Sequence, residues 1–91
     1  MAARRLRIAG RVQGVGFRDW LVREARQLGL SGWVRNRGDG SVEALIAGDE
    51  AAVEEMLRRC RGGPRLAVVE AIEEALAEMP AEAGFQRLPN F

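Results

Sequence analysis

The chain has 91 residues, of which 47% are hydrophobic and 30% are charged, and its net charge is +1. A chain of this length and composition is expected to form one domain over residues 1–91, which buries roughly two thirds of its unfolded surface. No apolar run approaches the ~20 residues of a membrane span, and residues 1–5 lack the apolar region of a signal peptide, so we expect a soluble, cytoplasmic protein. The single cysteine, Cys60, excludes an internal disulfide.

The arginines are concentrated in the first part of the chain. Residues 1–37 hold nine arginines and two acids, a sum of +7, whereas residues 38–91 hold five arginines and eleven acids, a sum of −6. A positive first part would attract anions, unless the folded strands interleave the two parts and their fields partly cancel. The sequence leaves both outcomes open.

The first elements in chain order are predicted to be a strand and a helix. Leu6, Ile8 and Val12 alternate with arginines, which is the period of a strand with one buried face. From Phe17 the apolar residues recur at helical spacing, and Gly29 ends this pattern. A short glycine-containing loop is therefore expected between the strand and the helix.

A β-hairpin and a second helix are predicted next. Residues 33–36 and the alternating residues 42–46 indicate two strands, which are joined by turn residues at 37–40. Asp49 is a candidate N-cap for the second helix, whose apolar stripe includes Cys60. The Gly-Gly-Pro sequence that follows is expected to end this helix.

The segment of residues 66–78 is ambiguous. Its alanines and glutamates favour a helix by propensity, but the preceding order β-α-β-β-α needs a fourth strand to complete a split βαβ sandwich. We therefore predict a strand that begins near Leu66, and a short fifth strand over residues 85–88. The element order therefore predicts an α+β, split βαβ (β-α-β-β-α-β) sandwich.

The loop before the first helix is the most informative segment. Residues 10–18 are Gly-Arg-Val-Gln-Gly-Val-Gly-Phe-Arg. Gly14 and Gly16 permit positive φ and a close approach of backbone amides to a ligand, and a helix N-terminus adds its positive dipole end. Arg18 adds a planar guanidinium that can bind phosphate through two parallel hydrogen bonds. We therefore predict that this loop holds one phosphate group.

Better-known glycine motifs do not fit this loop. A Walker A loop needs a lysine followed by serine or threonine, and the chain contains no lysine or threonine. A dinucleotide-binding fingerprint needs a third glycine at the position that Asp19 occupies. The remaining alternative is a βα turn that only connects two elements.

Few side chains are available for catalysis. The chain has no histidine, its acids show no spacing typical of a metal loop or a carboxylate pair, and Cys60 is expected to be a buried structural thiol. An alkoxide leaving group needs a general acid or a metal, whereas a carboxylate leaves without help because its conjugate acid has a pKa of about 4. A mixed carboxylic–phosphoric anhydride is therefore the substrate type that suits a site without metal or other cofactor.

Asn36 is the candidate for orienting the attacking water. A carboxamide can donate to and accept from a water molecule without placing a negative charge beside the phosphate. The alternative is that the asparagine is only favoured by the turn that follows it.

Two long motifs resemble the acylphosphatase family. They cover residues 10–18 and the segments 28–36 and 39–43, in the order and at the separation that the family shows. Residues 63–64 and 67–69 match the later part of the family more loosely. The resemblance implies a ferredoxin-like sandwich with two helices on one face of a mainly antiparallel sheet. It also implies hydrolysis of acyl phosphates to a carboxylate and inorganic phosphate without a metal. By matching position, Asn36 would hold the attacking water. The phosphoryl group would be bound by Gln13, Gly14, Val15, Gly16, Phe17 and Arg18, through their backbone amides and the Arg18 side chain.

Two binding functions are the alternatives to a hydrolase. A ferredoxin-like sandwich also forms RNA-recognition domains, but the third predicted strand has no aromatic residue and the chain has only two Trp and three Phe. A non-catalytic domain could instead bind an acyl or carbamoyl phosphate for another enzyme. We expect a monomeric hydrolase whose partner is a small-molecule acyl phosphate, with no nucleic-acid or membrane partner.

Overall fold

The computed structural model describes residues 1–90, which form a sheet with two helices packed on it. In chain order the elements are β1 Ala2–Arg11, α1 Phe17–Gln27, β2 Ser31–Asn36, β3 Val42–Gly48, α2 Glu50–Gly62, β4 Val68–Leu76 and β5 Phe85–Arg87. This order confirms the predicted ferredoxin-like split βαβ fold. No helix in this part of the chain is long and apolar enough to cross a membrane.

The strands form one sheet in the order β4-β1-β3-β2-β5. β1 is antiparallel to both β3 and β4, and β2 is antiparallel to β3. β5 is parallel to β2, with Phe85 opposite Gly32 and Arg87 opposite Val34. The sheet is therefore mainly antiparallel, as predicted, and the fifth strand exists with a length of three residues.

β4 is a strand although its composition favours a helix. It begins at Val68, slightly after the predicted start at Leu66, and it extends to Leu76. The start is later because the Ala67 amide donates to the Pro64 carbonyl at 3.0 Å, which closes a turn before the strand. Pairing along β1 supplies the backbone hydrogen bonds that a helix would otherwise provide, so tertiary contacts override local propensity.

The hydrophobic core lies between the sheet and the helices. The inward-facing strand residues and one stripe of each helix are buried, as the sequence periodicity predicts. Its members include Leu6, Ile8, Phe17, Leu21, Ala25, Val34, Val42, Ala44, Ile46, Val53, Met56, Leu57 and Cys60. Removal of this apolar surface from water is the main force that holds the two helices on the sheet.

The start of α2 differs in one detail from the expectation. Asp49 occupies the N-cap position, but its side chain makes no capping hydrogen bond. The carboxylate therefore acts on the helix only through its charge, which is favourable beside the positive end of the helix dipole.

Ion pairs join the basic first part of the chain to its acidic second part. They connect Arg5 with Glu43, Arg7 with Asp39 and Glu73, Glu24 with Arg59, and Asp19 with Arg87. The strand order causes this mixing, because β1 lies between β3 and β4. The fields of the two parts therefore partly cancel, and any attraction of anions depends on local groups near the loop.

Candidate active site

The loop between β1 and α1 covers residues 12–16, and its path depends on two glycines. Gly14 has a φ of 75° and Gly16 a φ of 76°, both in the left-handed region. A Cβ at either position would meet no atom within 4 Å, so glycine is needed there for backbone conformation and not for space. Gly16 is also the N-cap residue of α1.

Successive backbone amides of this loop are not used by the fold. Among residues 1–90, the N–H groups of residues 13–16 donate no hydrogen bond to another backbone or side-chain group. The first N–H groups of α1 also lack an intrahelical acceptor, as at the start of any α-helix. Unpaired amides beside the positive end of a helix dipole are the elements of an anion-binding site.

A small cavity opens beside the loop. Its volume is about 140 Å³, and it is lined by Val12, Gly14, Gly16, Phe17, Arg18, Asp19, Asn36 and Arg87. Pockets for drug-sized ligands have volumes of roughly 300–1,000 Å³. The cavity therefore suits a group as small as a phosphoryl group, and the remainder of a larger ligand would extend outward from it.

Arg18 is the second residue of α1, and it lines this cavity. Partial burial lowers its pKa and the charge of Arg87 lowers it further, whereas Asp19 opposes both effects. The guanidinium stays protonated, because the ordinary pKa of an arginine lies far above neutral pH. Its Nη1 donates to Oδ1 of Asn90 at 2.8 Å. A phosphoryl oxygen is a stronger acceptor than this amide oxygen and can replace it.

Asn36 ends β2 and is separated from Arg18 in the sequence by the rest of α1 and most of β2, yet it lines the same cavity. The residue is only 8% exposed. Within the described residues 1–90, its carboxamide has no hydrogen-bond partner. A polar group that is nearly buried and faces a cavity without a protein partner is available to hold a water molecule.

Two other residues of the predicted phosphate-binding set do not line the cavity. The Gln13 side chain donates through Nε2 to the carbonyl oxygens of Arg37 at 2.8 Å and Ser41 at 2.9 Å. These bonds fasten the loop to the β2–β3 turn that follows Asn36. Val15 packs against the hydrophobic core, so only its backbone amide is available to a ligand. The bracing role of the Gln13 side chain was not predicted from the sequence.

Asp19 and Arg87 line the cavity, and the sequence analysis did not identify them as site residues. The Arg87 Nη1 donates to Oδ1 of Asp19 at 2.6 Å, although the two residues are 68 positions apart. The parallel pairing of β5 with β2 brings Arg87 to this end of the sheet. No local sequence pattern signals that contact, because it depends on where a three-residue strand docks.

The acidic side chains and the one thiol form no metal-binding cluster within the described part of the chain, residues 1–90. Cys60 is fully buried in α2. Burial, with a smaller contribution from the charge of Glu24, raises the pKa of this thiol to about 12. A thiol with such a pKa is almost fully protonated at neutral pH and is a poor nucleophile.

Fold and cavity together define a class of protein: a ferredoxin-like sandwich with a glycine-containing loop beside a small cavity, where its first strand meets its first helix. A family model described as acylphosphatase matches residues 4–87. The acylphosphatase of Acidiphilium cryptum is 65% identical over 85 residues, which are 93% of each chain. The crystal structure of acylphosphatase from Bacillus subtilis has a TM-score of 0.93 at 35% identity, over 97% of this chain and 99% of that one. The chain belongs to the acylphosphatase family.

A similar fold also occurs inside a much longer protein. Full-length HypF, solved in a phosphate- and nucleotide-bound form, matches 98% of this chain with a TM-score of 0.90 and 28% identity. The matched region is only 12% of the HypF chain. The same sandwich therefore occurs both in short chains and as a small part of a large protein.

Proposed function

We propose that this chain hydrolyses acyl phosphates by direct attack of water on the phosphorus atom, without a metal. Hydrolysis of the carboxyl–phosphate bond to a carboxylate and inorganic phosphate follows from membership in the acylphosphatase family. One observation carries the proposed mechanism: Arg18 and Asn36 line the same small cavity beside the unpaired loop amides.

The phosphoryl group is bound by the amides of residues 13–18 and by the Arg18 guanidinium. Both are fixed before the substrate arrives, because glycine conformations set the loop and the first turn of α1 carries the arginine. Preorganised donors stabilise the negative charge on the phosphoryl oxygens in the transition state without a cost of reorganisation. The transferred group needs little else, because phosphoryl transfer depends mainly on positioning and charge stabilisation.

The attacking water is held by the Asn36 carboxamide. The oxygen of this water forms a bond to phosphorus while the bond from phosphorus to the carboxyl oxygen breaks. The carboxylate departs with the bonding electrons. A proton of the water passes to an oxygen of the substrate's own phosphoryl group. The carboxylate needs no protonation to leave, because its conjugate acid has a pKa of about 4.

The partner that this site requires is a small-molecule acyl phosphate, and we propose a cytoplasmic, monomeric protein with one domain over residues 1–91.

Binding of RNA is not favoured. The aromatic residue of β2, Trp33, is contacted by the guanidinium groups of Arg35 at 4.9 Å and Arg5 at 5.7 Å. Its ring face is therefore engaged by cations and is not open for base stacking.

The test is the hydrolysis of benzoyl phosphate by protein that has been exhaustively treated with a chelator. We expect release of inorganic phosphate at an unchanged rate, with the Arg18→Ala variant as the control for contaminating phosphatases. Loss of most activity on chelation, with recovery on addition of Mg²⁺ or Zn²⁺, would reject the metal-free mechanism. Absence of turnover in the untreated protein would reject the function itself.

A further inference from the structure

We infer that Arg87 is a second anion-binding residue of the active site, which binds a negative charge on the acyl part of the substrate. The inference rests on the proposed function, because it assumes that the phosphoryl group occupies the loop amides and Arg18. It assigns this enzyme a preferred substrate class: acyl phosphates that carry a second anionic group beyond the carboxyl carbon.

The position of Arg87 follows from the sheet. Arg87 is the last residue of β5 and lies opposite Val34 of β2, two residues before Asn36. Alternate residues of a strand share a face, so this register brings Arg87 to the end of the sheet where Asn36 lies. Both residues line the cavity together with Arg18. The charge of Arg87 is close enough to Arg18 to lower the pKa of that guanidinium.

Arg87 is held by a bond that a ligand can replace. Its partner is Asp19, and the two side chains are 46% and 59% exposed. Ion pairs that are this exposed are weak, because water competes for both charges. The bond uses Nη1 of Arg87, and most of the N–H donors of a guanidinium remain for another acceptor. An anionic group on the substrate can therefore share Arg87 with Asp19 or displace the carboxylate.

The cavity explains why the second charge would belong to the acyl part. The space beside the loop suits a phosphoryl group alone, so the acyl part must extend outward. Arg87 stands at this cavity and is about half exposed, so it can meet a group at the opening. A neutral acyl group leaves the pair with Asp19 intact, whereas an anionic group gains a charge-assisted hydrogen bond.

The test compares two substrates of the same shape, 3-carboxybenzoyl phosphate and 3-carbamoylbenzoyl phosphate, which differ in one charge. We divide the kcat/KM of the carboxy substrate by that of the carbamoyl substrate. This ratio should fall about tenfold in Arg87→Gln, mainly because KM for the carboxy substrate rises, and it should recover in part in Arg87→Lys. Asp19→Asn should raise the ratio, because it removes the competing carboxylate, and this rise should vanish in the double variant with Arg87→Gln. Arg61→Gln, a change of an exposed arginine on α2, is the matched control.

The outcomes separate this inference from the proposed function. An unchanged ratio in Arg87→Gln, with both substrates still hydrolysed, overturns the inference and leaves the proposed function intact. Equal changes in Arg87→Gln and Asp19→Asn would mean that the pair only fastens β5 to α1, and this result also overturns the inference. Failure of the wild-type protein to hydrolyse either substrate overturns the proposed function instead. Circular dichroism of each variant checks that the fold is retained.

Discussion

Arg18 contributes shape as well as charge to the proposed site. A guanidinium presents parallel donors in a plane, whereas the ammonium of a lysine is a point charge on a differently placed stem. The loop amides do not depend on this side chain, so they would still bind phosphate weakly without it. The planar arrangement of donors should therefore matter most for the charge that develops in the transition state.

We predict that Arg18→Lys raises KM and lowers kcat for an acyl phosphate while the far-UV circular dichroism stays unchanged. Arg23→Lys makes the same chemical change at an exposed position of α1 and should remain near wild type. Arg26 is a poorer control, because its Nη2 donates to the Phe85 carbonyl at 3.0 Å. If Arg18→Lys keeps more than about half of the wild-type kcat/KM, the planar guanidinium supplies less than ~0.5 kcal/mol and its assigned role is wrong.

The role that we propose for Asn36 differs from that of Arg18, so its removal should have a different kinetic signature. We predict that Asn36→Ala lowers kcat on the order of 10²-fold or more, because the attacking water loses its orientation. The inhibition constant of inorganic phosphate should hardly change, because the phosphoryl group is bound by other residues. Asn36→Asp is the companion variant: it keeps the size but adds a negative charge, so it should weaken phosphate binding as well. Equal losses of binding and turnover in Asn36→Ala would move this residue into the anion site.

Cys60 should be dispensable for catalysis. The side chain is fully buried and its thiol is protonated at neutral pH. We predict that Cys60→Ala retains kcat and costs roughly 1 kcal/mol of unfolding free energy, because it leaves a small cavity in the core. Urea unfolding and a phosphate-release assay measure the two quantities. A folded Cys60→Ala protein without turnover would reinstate a thiol nucleophile.

At the scale of elements, three neighbouring strands meet in an ion-pair cluster around Glu43 of β3. Arg5 of β1 donates to its carboxylate at 2.9 Å, and Arg35 of β2 donates at 2.8 Å. Arg37, which begins the β2–β3 turn, adds a bond of 3.2 Å. The Glu43 side chain is only 7% exposed, so its charge depends on these partners. The cluster holds the edge of the hairpin on which Asn36 is placed.

The cluster predicts how stability depends on pH. Burial opposes ionisation of Glu43, but the hydrogen bonds from Arg35 and Arg5 outweigh it and lower the pKa below the ordinary value of 4.5. A group whose pKa is lower in the folded state stabilises the fold above its unfolded pKa, and this contribution disappears as the pH falls through the folded pKa. The free energy of unfolding should therefore decrease below about pH 4.5. Asp39 acts in the same direction, because Ser41 and Arg7 lower its pKa.

Glu43→Gln should reduce that acid sensitivity and cost about 1–3 kcal/mol at pH 7, because three arginines lose a charged acceptor that is itself buried. Urea unfolding between pH 7 and pH 3 measures both effects. Glu78→Gln, at an exposed position after β4, is the control and should behave as wild type. Identical pH profiles for Glu43→Gln and wild type would show that this carboxylate does not link protonation to folding.

β4 shows where local reasoning at this scale reaches its limit. Its alanines and glutamates favour a helix, and most of its residues are exposed, so neither propensity nor a buried face identifies a strand. The order of the preceding elements led to the correct prediction, because a split βαβ sandwich needs a strand beside β1. The exact start could not be predicted, since it depends on the turn between Pro64 and Ala67.

At the scale of the whole molecule, the site forms where separate elements end. β1 leads into the loop, α1 begins there, and β2 and β5 end there, so groups from the loop and from three elements, α1, β2 and β5, reach one cavity. The Gln13 side chain ties the loop to the β2–β3 turn. In the proposed mechanism, a shift of any one strand would displace donors from the phosphoryl group, so the sheet register would be part of the catalytic arrangement.

The sequence by itself determined the elements whose signals are local. Strand alternation and the helical stripes identified the core, and Gly14, Gly16 and Arg18 lie close enough in the chain to indicate an anion-binding loop together. Asn36 could be proposed as its companion from the chemistry of its carboxamide and from the family resemblance, although the two motifs are separated in sequence. Only the tertiary structure decided that Arg87 joins this cavity, that Asp19 is its partner, and that the two oppositely charged parts of the chain interleave. The reason is physical: these contacts depend on strand order and register, which are fixed by the burial of a shared core and not by any neighbouring residue.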